Sequence, residues 1–205
     1  MRALPLALAL VAGGMPAARP ALAAVPVPAA RSVPHPLARS VTLAPLLDRT
    51  GLPEVEVWAR QTQDLLAPDT LPLRTIGPAD ALAMTRSAGR NDWEQRWQAV
   101  QVNPSAPAFR AMIRELAVAT GTDQILVQEL LGLARVANPE TGLASDLDVA
   151  YRQTLLEART GAVVWQGDSS FALPVRDGDA EPAVRKALFE TMKASLGDCP
   201  WRTVR

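Results

Sequence analysis

Apolar residues recur along the chain with two different periods, and each change of period marks an element. From Ser40 to Leu47 (SVTLAPLL) the run is β-type, with Val41, Leu43 and Pro45 alternating against more variable positions before Asp48-Arg49-Thr50-Gly51. This predicts a first strand. Pro53 then suits the first turn of a helix, and Val57, Trp58, Leu65 and Leu66 share one broad face of a segment that stops before Pro68. Leu71 to Ile76 predicts a second strand, which leads through Gly77-Pro78 into a short helix carrying Leu82 and Met84. Ser87 to Gly89 breaks the chain, after which Asn91 or Asp92 caps a turn or two of helix with Trp93, Trp97 and Val100 at i, i+4 and i+7.

The strongest helical pattern is Ala106 to Thr120, with Ser105 as cap, Pro107 in the first turn, Gly121 beyond the end and an apolar stripe of Phe109, Met112, Ile113, Leu116 and Ala117. Thr122 to Val136 then predicts a long strand whose nearly continuous apolar character requires burial on both sides for part of its length, with a bulge at Gly132. After the turn Asn138 to Gly142, Leu147, Val149, Tyr151, Gln153 and Leu155 alternate with Asp146, Asp148, Ala150, Arg152 and Thr154, the pattern of a half-buried antiparallel strand. Ala158-Arg159-Thr160-Gly161 supplies a hairpin loop, and Ala162 to Leu173 returns as the partner strand. Asp177 to Glu181 ends the sheet and opens a last helix through Leu196, with Val184, Ala187, Leu188, Thr191 and Met192 on one face and Gly197 as the stop. The expected fold is α/β: a mixed sheet with a long β-hairpin and helices packed mainly on one face. Leu126, Val127, Leu147, Val149, Leu155 and Val163 are its expected core, under the helices of Phe109–Leu116 and Val184–Met192.

The first 39 residues follow neither period. Arg2, the apolar run Ala3 to Ala12 and the small residues of Ala21-Leu22-Ala23 have the order of a cleavable export signal, and the run is too short to span a bilayer. Prolines at 26, 28, 34 and 36 hold the following stretch extended. The expected division is a signal peptide over 1–23, a Pro-rich tether over 24–39, a single α/β domain over 40–197 and a tail over 198–205. The chain is thus expected in the periplasm. No membrane span is expected, nor a lipid anchor, since no cysteine stands near Ala23.

Composition narrows the chemistry. With 21 basic and 21 acidic residues among 205, the chain lacks the positive field a nucleic acid partner requires. One cysteine, Cys199, and one histidine, His35 in the tether, exclude a Cys/His zinc site and a histidine-based triad within one chain. Asp146 and Asp148 share one side of a strand and define the alternative of a carboxylate-dependent hydrolase; a small-ligand binder using a sheet-edge cleft is a further alternative. Thr160-Gly161 reads as turn chemistry, and Asp177, Asp179 and Glu181 as helix capping rather than a calcium site. No catalytic, cofactor or metal residues are assigned. Trp93 and Trp97 remain, in a polar segment (NDWEQRWQAV) where they either close over the core or offer an aromatic protein interface. Cys199 either packs as a small hydrophobe or bridges to another chain in an oxidising compartment.

The run Leu116-Ala117-Val118-Ala119-Thr120-Gly121-Thr122-Asp123-Gln124-Ile125-Leu126-Val127 resembles the helix, Gly-Ala-Asp, apolar-strand step of bacterial envelope proteins related to the amino-terminal domain of TolB and to the curli secretion protein CsgG. Leu155 to Gly167, which contains Ala158-Arg159-Thr160-Gly161 and Trp165, is similar to their hairpin. The sequence departs from that pattern at Glu129, where a glycine is usual, in the inserted stretch Met84 to Pro107, and in lacking a lipobox cysteine. The resemblance implies an α/β sandwich similar to anticodon-binding domains, and action by binding other envelope components. The expected function is therefore a non-catalytic accessory subunit of an envelope assembly, needing no cofactor, with envelope proteins or further copies of itself as partners.

Overall fold

A computed structural model describes residues 39–66, 73–137, 144–174 and 180–198. Residues 1–23, the tether with His35, Asp177 and Asp179, Cys199 and the tail, and the side chain of Leu147 expected in the core, lie outside the described residues. Ser40–Leu43 forms β1 and Leu47–Asp48 forms β2, where the pattern predicts one strand. Both pair in parallel with the long strand β4 (Gln124–Ala137), Leu43 opposite Leu126 and Leu47 opposite Glu129, so the three residues Ala44 to Leu46 face only two. Pro45 sits in this bulge, where its missing N–H breaks no ladder bond.

Parallel pairing of β1 with β3 (Arg74–Ile76) completes one side of the sheet, and the antiparallel strands β5 (Ala144–Glu157) and β6 (Val163–Pro174) complete the other. The order is β3-β1-β4-β5-β6. This is the mixed sheet with a long hairpin that alternation predicts, and the register slips at Leu130/Gly132, where a bulge is expected. Val163, placed in the core by the pattern, is exposed, because a second slip at Leu155/Leu156 takes its end of β6 out of register.

The helices divide between the two faces rather than gathering mainly on one. Leu126 and Leu130 of β4, with Val149, Tyr151 and Leu155 of β5, pack against α1 (Pro53–Leu66) and α5 (Ala180–Asp198). Ile125 and Val127, alternating with these along β4, pack with Leu156 against α2 (Pro78–Ser87), α3 (Trp93–Ala99) and α4 (Pro107–Thr120). Two-sided burial is what the continuous apolar run of β4 demands.

Three local expectations are corrected. Helix α1 buries Val55, Ala59, Thr62, Gln63 and Leu66, while Val57 and Leu65 are 52% and 71% exposed. Leu66 is inward as expected and Trp58 packs partly against the core, but two inward positions, Thr62 and Gln63, are polar and find hydrogen-bond partners, so a search for apolar residues passes over them and takes in Val57 and Leu65 instead. Helix α2 buries Pro78, Ala81 and Thr85 and leaves Met84 exposed. Helix α4 has Ala106, not Ser105, at its cap, with no side-chain bond there. Its stripe of Phe109, Met112, Ile113 and Leu116 is buried as expected, and Gly121 ends it at φ +65°, a left-handed position. The aspartate of the Thr122-Asp123 step is a joint. Its carboxylate accepts from the Arg39 amide at 2.9 Å and the Ser40 hydroxyl at 3.2 Å, tying the start of β1 to that of β4.

Candidate functional site

Trp93 and Trp97 are fully buried, at 0% exposure. Their rings stack 5.1 Å apart, and Trp97 stacks in turn on Phe109 at 6.2 Å. The reading of this pair as an exposed protein interface is thus corrected: both indoles close over the protein's own core. Their polar ends explain why tryptophan stands there. Trp97 Nε1 donates to the Pro45 carbonyl at 2.7 Å, inside the β1–β2 bulge, while Trp93 Nε1 lies 3.4 Å from the Met112 carbonyl.

Gln63 reaches the same bulge from the opposite face of the sheet. Its Oε1 accepts from the Leu46 amide at 3.0 Å, and its Nε2 donates to the Ala44 carbonyl at 2.8 Å and to Gln128 Oε1. The backbone groups that the interrupted strand leaves unpaired are thus satisfied by side chains from both layers of helices.

Beyond the bulge the sheet carries a row of charges. Cross-strand register sets Glu129 of β4 opposite Arg152 of β5, and Arg152 opposite Asp168 of β6. Arg152 holds Asp168 through two bonds, Nε to Oδ1 at 2.7 Å and Nη2 to Oδ2 at 2.8 Å. At the other end Arg49, just past β2, stands 3.7 Å from Glu129 and donates to the carbonyls of Gln98 and Val100 at 3.4 and 2.5 Å. Signs therefore alternate across the sheet: Arg49, Glu129, Arg152, Asp168. The row lies on the face to which Ile125 and Val127 belong, past the ground that α3 and α4 cover. Further out on this face, Ala134 of β4 and Ser170 of β6 are exposed and Ala150 of β5 is half-buried, while Gln166 of β6, also exposed, lies on the other side of the row, level with Thr154 and Val127.

Burial pushes the Glu129 carboxyl above its ordinary range, against the pull of Arg49 and Arg152. The hydrogen bonds from Arg152 hold Asp168 below its ordinary range. The two carry opposite pH signs. A carboxyl raised in the fold contributes stability below its unfolded-state pKa and loses it as pH rises through the raised value; a lowered one contributes above its unfolded-state pKa and loses it as pH falls. Glu129→Gln is therefore expected to abolish the part of the stability loss that sets in as pH rises from the carboxyl's unfolded-state value through its raised one, and to spare the decline at the acid end. Urea unfolding across this pH range checks it, and an unchanged slope contradicts the assignment.

The other residues singled out in the sequence do not join this row. Asp148 is half-buried on the open face and accepts from the Ser170 hydroxyl at 2.7 Å, while the side chain of Asp146 lies outside the described residues. Thr160 bonds to Glu157 and accepts from the Ala162 amide at 3.1 Å, and Gly161 has φ +71°, the turn chemistry expected of them. Glu181 pairs with Arg185 within α5. Among the described residues no group of three His, Cys, Asp or Glu side chains is placed to hold a metal, and no helix is long and apolar enough to cross a membrane. Arg49, Arg152 and Asp168 were not singled out by the sequence; a hairpin centred on Thr160 is the signal that sets Arg152 against Asp168.

No protein-family profile matches the sequence, and no curated protein matches it. Solved structures similar to it include a lipoprotein from Neisseria meningitidis, 13% identical with a TM-score of 0.47, over 79% of this chain and 99% of that one. A hypothetical protein from Chlamydia trachomatis is 10% identical with a TM-score of 0.48, over 77% and 95% of the two chains. The C-terminal domain of LpoB from Escherichia coli is 14% identical with a TM-score of 0.43, over 67% and 86%. None of these assigns the chain a partner or an activity, and they do not single out TolB or CsgG.

Proposed function

We propose that the chain is an exported bacterial envelope protein that acts without catalysis, as an accessory subunit binding another envelope protein through the open face of β4, β5 and β6. The observation that carries this reading is the charged row on that face, in which Arg49, Arg152 and Asp168 are partly exposed and Glu129 is buried. Its members are ordered by strand register and matched in sign, and the small residues Gly132, Ala134 and Ala150 beside them leave the surface flat. Flat, charge-patterned surfaces suit a protein partner, where fixed charges select register and reject mismatched partners. A small-molecule site is instead concave and largely apolar. The export signal read in residues 1–23, the domain read over 40–197 and the likeness of Leu116 to Gly167 to TolB-type and CsgG-type proteins agree with it.

The test is photo-crosslinking in intact cells from a reactive amino acid at Gln166 on the open face, with Val118, 83% exposed on α4, as the control position. The expected result is a discrete adduct from Gln166 that mass spectrometry identifies as an envelope protein other than the chain itself. No adduct from Gln166, or the same adduct from Val118, overturns the reading.

A further inference from the structure

The open face ends at a second unmet surface. Strand β6 is one edge of the sheet, the other edge being the three-residue β3. From Trp165 to Pro174 it pairs with β5 without a register slip. Alternate N–H and C=O groups of such a run point away from the sheet, and among the described residues no backbone bond outside the β5 ladder involves them.

Proteins usually blunt an edge of this length with lysine, a mid-strand proline or an unpaired charge. The sequence VVWQGDSSFALP has no Lys or Arg, and its proline is the last residue. Its one charge, Asp168, is already neutralised by the two bonds from Arg152. One side of β6 is held by α5, where the Ser195 hydroxyl meets the Ser169 hydroxyl at 2.7 Å. Among the described residues, nothing pairs with the ladder edge itself.

We infer that β6 pairs antiparallel with β6 of a second copy, joining two sheets into one about a twofold axis. Row-for-row pairing of outward N–H and C=O groups selects an extended strand as the occupant. A second copy is the occupant argued for, because a twofold contact satisfies both unmet edges at once and closes. Pairing β6 with β3 would match three residues only and leave each copy with a further free edge. Faces are kept in such a twofold, so residues of the same parity come opposite each other. An axis at Ser169 sets Asp168 opposite Ser170 of the second copy, a carboxylate facing a hydroxyl, and brings no like charges together.

This inference goes beyond the envelope-partner reading and is tested on purified protein with no partner present. In a Cys199→Ser background, single cysteines are placed by Gln166→Cys, Ser169→Cys and Ser170→Cys along β6, and by Gln61→Cys on α1 as the control. The protein is expected to sediment at twice the monomer mass, and at least one β6 position is expected to give a disulfide-linked dimer under mild oxidation while the α1 control gives none, since directly opposed strand residues lie within disulfide reach. A monomer at the highest soluble concentration overturns the inference, as does a dimer that cross-links no better from β6 than from α1. Either failure leaves the adduct expected from Gln166 in cells untouched, so the two readings fail separately.

Discussion

Replacing Trp97 by alanine is expected to destabilise the protein by about 3–5 kcal/mol, the range for emptying a well-packed aromatic site. Three losses coincide there. The ring leaves a cavity between Trp93 and Phe109, the stacking with both is lost, and the Pro45 carbonyl in the bulge loses its donor. Trp93→Ala empties the neighbouring volume, and the two costs will not add simply because the rings share a contact. The double variant is expected to be largely unfolded, since the pair carries a large part of one core layer and domains are only marginally stable. Urea unfolding of the single variants, with circular dichroism of the double variant, checks this; a double variant as stable as the parent contradicts the placement.

Gln63→Leu is expected to cost about 2–5 kcal/mol, although leucine is similar in size and more apolar. The side chain makes three buried hydrogen bonds, two of them to the backbone of the bulge. Removing it leaves the Leu46 amide, the Ala44 carbonyl and the Gln128 side chain each short of a partner, and a buried unmet polar group costs about 1–3 kcal/mol. Gln63→Glu separates the causes: a carboxylate keeps the acceptor for Leu46 but loses the donor to Ala44 and brings a buried charge. A leucine variant at parent stability would show that water enters the bulge and replaces the glutamine.

Which parts of this structure could be read from the sequence follows from how local their causes are. The hairpin of β5 and β6 is legible because alternation and a glycine-containing loop determine it within one stretch of chain, although the slip at Leu155/Leu156 also enters the pairing of Arg152 with Asp168. Helix α4 is legible for a similar reason, a strong apolar stripe ended by Gly121. Glu129 against Arg152 is not legible, because the slip at Leu130/Gly132 and the connection between β4 and β5 both enter the register. Trp93 and Trp97 are the sharpest case. Two tryptophans in a polar segment are consistent with both core and interface until the partner of their polar ends is known. That partner, the Pro45 carbonyl, lies 52 residues away from Trp97 and exists only because the first strand is broken. The break also hides the inward face of α1, since Gln63 is buried to satisfy it and an apolar pattern passes over a glutamine.

Binding through the open sheet face is tested most directly by adding Ala150→Arg to the Gln166 crosslinking protein. Ala150 lies in the middle of that face, opposite Gly132 on one side and Ser170 on the other, so a long charged side chain there covers the flat surface without entering either core. The quantity to measure is the yield of the Gln166 adduct in intact cells, alongside the melting temperature of the same purified variant. The expected result is an adduct lost at a melting temperature close to the parent's. A full yield of the same adduct from the stably folded Ala150→Arg variant would contradict binding through this face.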